Sequence, residues 1–268
     1  LSSLSSNAAA QSGWYWQNPL PQGNTLNDIC YVDSVNGLSV GSVETILQTT
    51  DGGTTWIIRF GGTSCPLYGI SYSNPMQATA VGDSGIILHT SNGGSSWIQQ
   101  QRVTDKRLNK VMFTSPGNGL IIGTFGTILR TTDGGNTWVH TESQTTAALE
   151  GISFSSGNIG TVVGRDGTIL RTTDGGTSWT QQTSGTSERL TSVSFFDDNT
   201  GIVVGWSCPI LSTTDGGETW TSKSWEKQYL FGVCFIDATH VFAVGTVGRI
   251  LRTTDGGNTW AESSSGVK

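Results

Sequence analysis

Basic runs, long apolar stretches and closely spaced metal ligands are all missing from this sequence. Charged residues make up 13% of the 268 positions, no run of Lys or Arg occurs, and the net charge is −6. That balance weighs against capture of a nucleic-acid backbone. No apolar stretch approaches eighteen residues, so no membrane span is expected. The three histidines (His89, His140 and His240) lie far apart and no CxxC pair occurs, so neither zinc nor any other metal is expected. Cys30, Cys65, Cys208 and Cys234 are even in number, which permits two disulfides in any of three pairings. The plainer reading is small, buried apolar residues. No phosphate-binding loop and no Ser-His-Asp or Cys-His signature stands out, and no cofactor is implied. The opening "LSSLSSNAAAQSG" lacks the charged and apolar parts of a signal peptide, so residues 1–13 are expected to form a flexible lead-in.

What the chain has in abundance is glycine (37 residues) and repetition. "QTTDGGTTW" at 48–56 returns as "HTSNGGSSW", "RTTDGGNTW", "RTTDGGTSW", "STTDGGETW" and "RTTDGGNTW". The box tryptophans are Trp56, Trp97, Trp138, Trp179, Trp220 and Trp260, spaced by 41, 41, 41, 41 and 40 residues. A period of that length marks a solenoid, an array or a propeller. Each unit opens on an apolar alternation such as "LNKVMF", continues with a short strand such as "GLIIG", and reaches "TILRTT" after a brief turn. Apolar residues at every second position are a strand signal. One sheet of 41 residues cannot bury both faces, which excludes an array of separate domains. The expectation is an all-β fold, a six-bladed β-propeller of four-stranded antiparallel blades over residues 14–268. The box becomes the hairpin turn before each outer strand. Gly-Gly supplies positive-φ positions, and Asp51, Asn92, Asp133, Asp174, Asp215 and Asp255 accept bonds from turn donors, a structural role. Residues Trp14 to Asn18 are expected to supply a twenty-fifth strand, pairing into the last blade, with the C-terminal tail displaced or added at the margin.

The motif Ser/Thr-x-Asp-x-Gly-x-x-Trp resembles the Asp-box, or bacterial neuraminidase repeat. The whole unit, with "GTILRTTDGGNTW" preceded by "VVG", is most similar to the photosystem II assembly and stability factor family and its secreted bacterial relatives. The resemblance implies a propeller fold, with boxes away from any active site. It implies an extracellular or cell-surface location, with the periplasm as the alternative. Function is less specified, because Asp-boxes occur in sialidases, receptors and assembly factors alike.

Function should sit where the repeats differ. The turns between second and third strands and the links between blades share one rim. They bring Phe125, Trp206, Trp225 and Tyr229 beside Arg102, Arg107, Arg165, Arg189, Arg249 and Lys227. Aromatics with arginine compose a binding surface. The competing view is that Trp206 and Trp225 only pack against each other. Arg130, Arg171 and Arg252 occupy one position beside the boxes and are expected to bond carbonyls or aspartates at the box turns. Glu150 is expected near the central channel. The reading is a non-catalytic module that binds a protein or glycan partner, on its own or within a surface assembly. The alternative is a sialidase-like or other carbohydrate-active enzyme. That alternative lacks a Phe/Tyr-Arg-Ile-Pro segment and a recognisable pair of cleft carboxylates.

Overall fold

The computed structural model describes residues 23–263, except for the side chains of 208, 209 and 223–228. Strands alone carry the architecture, joined by turns and two single-turn 3-10 segments among the described residues. Units one to four are separate four-stranded antiparallel sheets with strands in chain order. Unit three shows the plan: Leu108–Phe113 pairs with Gly119–Gly123, then Ile128–Thr131, then Val139–Thr141. Units five and six follow the same plan but run together. Their shared strands, Gly201–Thr213 and Thr221–Phe235, stay paired beyond the blade at Trp206 with Tyr229 and at Cys208 with Gln228. The all-β propeller of four-stranded blades is therefore what the sequence pattern describes.

The core lies between blades. The second strand of one unit presents Leu120 and Ile122 to Leu149, Val162, Leu170 and Trp179 of the next. Five such clusters join units one through six in series. First strands also bond across the hub: Ser71, Ser153 and Ser194 hydroxyls accept the backbone N–H of Phe113, Phe195 and Phe235. Between unit six and unit one, no such cluster forms among the described residues. The outer place of unit six is taken by Ala261–Ser263, which pairs with Ile250–Arg252. This corrects the expectation that the C-terminal tail is displaced or only added at the margin, because Ala261–Ser263 pairs directly with the third strand. The strand proposed for Trp14 to Asn18 lies outside the described residues.

Each box is a closed local circuit. The Thr49 hydroxyl donates to Asp51 Oδ1 (2.8 Å) and accepts the Gly53 N–H (2.8 Å). Asp51 also accepts the Thr55 N–H at 2.9 Å and the Thr55 hydroxyl at 2.6 Å. Gly52 and Gly53, at φ 71° and 88°, occupy backbone that other residues resist. Asp133 makes the same three bonds to Thr131 and Thr137. Asp133→Ala should therefore cost about 1–2 kcal/mol, measured by chemical denaturation, because the two exposed Thr137 donors and the buried Thr131 hydroxyl lose one acceptor.

The same bonds predict a pH dependence. The Thr55, Thr219 and Thr259 hydroxyls, with their backbone N–H groups, hold Asp51, Asp215 and Asp255 at about 2, below the ordinary 3.8. A folded value below the unfolded one gives stabilisation that is complete above about pH 4 and lost as pH falls toward about 2. The Tm should drop most steeply in that window, and less steeply in Asp51→Asn. A flat Tm there would contradict the assignment.

Candidate functional site

The rim is shaped by a backbone irregularity that recurs in every unit. In the first strand, pairing skips one residue after the opening Leu, so Asn27, Tyr68, Asn109, Glu150, Thr191 and Phe231 are bulged out of register. A bulge re-aims the side chain it carries. Asn27, Asn109 and Thr191 reach forward to the carbonyls of Leu67, Leu149 and Leu230, each at 2.7 Å. The glycine closing the second strand makes room for this bend. A Cβ at Gly164 would lie 2.2 Å from the Ala148 carbonyl oxygen.

Glu150 uses its bulge differently. Its Oε1 accepts Arg165 Nε at 3.2 Å and its Oε2 accepts Arg189 Nε at 2.7 Å. Both carboxylate oxygens are thus bonded to guanidinium groups. Arg189 also lies 4.1 Å over the Trp206 ring, a cation–π contact. Trp206 meets Tyr229 edge-on at 5.9 Å and Phe231 at 6.2 Å. The result is one run of touching side chains from Arg165 to Phe231, across units four to six. All three aromatics stay exposed: Trp206 by 37%, Tyr229 and Phe231 by 49% each.

Arg107 stands in a second, smaller cluster, 4.1 Å over Tyr68 and bonded to Asn109 at 2.8 Å. Phe125 sits on a turn at φ 56°, with Lys106 Nζ 5.2 Å above its ring. Arg249 pairs with Glu262 of the outer strand at 3.0 Å. Trp225 and Lys227 fall in the strand Thr221–Phe235, but their side chains lie outside the described residues. The predicted residues therefore divide: Arg165, Arg189, Trp206 and Tyr229 come together, whereas Arg107, Phe125 and Arg249 do not join them. Phe231 was missed because it sits inside an apolar alternation. Its signal is the residue types at that position (Asn, Tyr, Asn, Glu, Thr, Phe), varied within an otherwise regular strand.

Away from the rim, Arg130 Nε bonds the Gly175 carbonyl of a box turn at 3.0 Å, as expected, whereas Arg171 bonds Thr161 and the Asp198 carbonyl in the turn between the first two strands of unit five, not a box turn. Burial pushes the Cys30 thiol up to about 12. Cys30, Cys65 and Cys234 are unbridged, and Cys234 is exposed. No group of three or more His, Cys, Asp or Glu residues able to hold a metal occurs among the described residues.

Serial inter-blade cores, box turns and a variable aromatic rim define a propeller of the Asp-box class. The model of the family described as photosynthesis system II assembly factor YCF48 matches residues 6–103 and 96–186, more than half of the sequence. The chain belongs to that family. Among solved structures, YCF48 bound to D1 peptide is 25% identical at a TM-score of 0.75, covering 91% of this chain and 82% of that one. YCF48 from Cyanidioschyzon merolae is 21% identical at 0.76, with coverages of 93% and 88%. Virginiamycin B lyase from Staphylococcus aureus is 15% identical at 0.79, with coverages of 92% and 87%, which shows a shared fold alone. No curated protein is matched.

Proposed function

We propose that this chain is a non-catalytic assembly propeller that takes a linear peptide of a protein partner on the rim of units four to six. The observation that carries this reading is the run Arg165–Glu150–Arg189–Trp206–Tyr229–Phe231, whose three aromatics are exposed. Exposed aromatics held in place by neighbours offer apolar contact at low entropic cost. Arg189, stacked and ion-paired, works as their support. A relative solved as YCF48 bound to D1 peptide supports a peptide over a glycan as the bound class. The location we propose, outside the cell or at its surface, fits the secreted relatives that the repeat resembles.

The test is direct. Purified protein is screened against an array of synthetic linear peptides, including D1 peptide, and against soluble oligosaccharides. Saturable binding to peptides carrying apolar side chains is expected. Saturable binding to oligosaccharides alone would replace this reading with the glycan one.

A further inference from the structure

The turns between second and third strands share one backbone but differ in chemistry. In units three and four the Thr127 N–H donates to the Thr124 carbonyl at 3.2 Å, and the Thr168 N–H to the Arg165 carbonyl at 3.0 Å. The second residue of each turn is left-handed: Val43, Ser84, Phe125, Asp166, Ser207 and Val247 lie at φ 51° to 57°. Tight turns with two left-handed central residues prefer Asn, Asp or Gly first and Gly second. Unit four complies, with Asp166 and Gly167. Unit three places a phenylalanine there, and a bulky side chain at positive φ is disfavoured. Burial does not offset the strain, because the ring is 69% exposed. That exposure is independent of the chain ends, since units two and four on either side are described throughout.

The turn is also held so that it cannot relax. A Cβ at Gly126 would collide with the Thr145 carbonyl oxygen, and the Gly126 N–H donates to the Ala147 carbonyl at 2.9 Å. The Thr124 N–H donates to the Arg107 carbonyl at 2.9 Å. Lys106, paired with Asp105 at 2.9 Å, stands over the ring. Beside the ring runs a groove lined by Phe125, His140, Gln144 and Thr146, with room for a further side chain. Placement adds a second observation. Ala148, next in the chain to Ala147, accepts the Arg165 N–H at 2.9 Å. The tips of units three and four are thus fastened to consecutive carbonyls of one link. Arg165 is also where the run toward Phe231 begins. An extended peptide advances about 3.3 Å per residue, so one passing over Arg165 comes to Phe125 within a few residues.

We infer that Phe125 is the far anchor of the peptide track: the partner peptide extends past Arg165 onto unit three and packs an apolar side chain on the Phe125 ring. This rests on the peptide reading given above. A peptide is the occupant because the tip continues the run at Arg165, and a single ring is too small a patch to hold a folded partner. Val43 of unit one, at φ 52° and 70% exposed, carries comparable strain outside units three to six and serves as the comparison.

Titration calorimetry with the best array peptide compares Phe125→Asn, Val43→Asn and Trp206→Ser with the unaltered chain. Phe125→Asn is expected to raise the Tm by about 2–4 °C, because Asn accepts the left-handed turn, and to weaken binding about tenfold. Val43→Asn should raise the Tm and leave the affinity unchanged. Unchanged affinity in Phe125→Asn with a loss in Trp206→Ser would overturn the anchor and leave the peptide reading standing. Unchanged affinity in both, or no array peptide bound at all, would overturn the reading and the anchor together. A lower Tm in Phe125→Asn would show the ring to be structural and also overturn the anchor. A second measurement uses Phe125→p-benzoylphenylalanine in the full chain, with adducts mapped by mass spectrometry. Photo-adducts to an apolar residue of the bound peptide are expected, and their absence would overturn the anchor.

Discussion

Trp206→Ser combined with Tyr229→Ser is expected to abolish peptide binding by the rim while leaving the Tm within a degree or two. Hot-spot aromatics each contribute about 2 kcal/mol or more, roughly thirtyfold in affinity. Both rings are substantially exposed, so their removal uncovers little core. Arg189 loses a stacking partner but keeps its 2.7 Å bond to Glu150, which limits structural damage. Ile98→Ser, at an exposed outer-strand position, is the control and should bind normally. Titration calorimetry against the best array peptide reads the result. Unchanged affinity in the double variant would remove the aromatic run from the binding surface.

Gly164→Ala is expected to cost about 3 kcal/mol, toward the upper end for overpacking a tight site. Its new methyl group would meet the Ala148 carbonyl oxygen at 2.2 Å, and that atom belongs to backbone that cannot swing away. The same carbonyl accepts the Arg165 N–H at 2.9 Å. Relief of the clash must therefore move the turn carrying Arg165 and the bulge carrying Glu150. Lower stability and weaker peptide binding should appear together in one substitution. Gly157→Ala, where nothing lies within 4 Å, is the comparison and should leave both unchanged. Equal denaturation midpoints for the two variants would show that the bend at Gly164 accommodates a side chain after all.

These positions also show how far sequence reading reaches. The box repeats, the alternation "LNKVMF" and the glycine-closed "GLIIG" were enough for strands, blades and order, because each is a local pattern with one low-energy solution. The cluster at the rim was only half legible. A strict two-residue period gives no sign of the bulge that re-aims Glu150 and Phe231, since the room for it comes from a glycine on the neighbouring strand, Gly164 or Gly245. Trp206 is found against Tyr229 and Phe231, because pairing between the strands Gly201–Thr213 and Thr221–Phe235 continues beyond the blade, while the competing view that it packs on Trp225 falls outside the described residues. The junction between units six and one, where no apolar cluster forms among the described residues, was illegible for another reason. Phe242, at the place that Leu120 holds in unit three, is as apolar as Leu120, so unit six carries the same interface pattern as the others.

The box circuit has a further consequence, for how the chain acquires its structure. Every bond that closes it links residues two to four apart: Thr49 with Asp51 and Gly53, Asp51 with Thr55. None needs a neighbouring blade. Such turns close without the entropic cost of bringing distant segments together, whereas a mostly β chain is otherwise slowed by non-local pairing. Six evenly spaced points along the chain can thus set hairpin registers early, each independent of the others. Blades then accrete in sequence as their partners emerge, and the edges exposed in the meantime are already fixed in register.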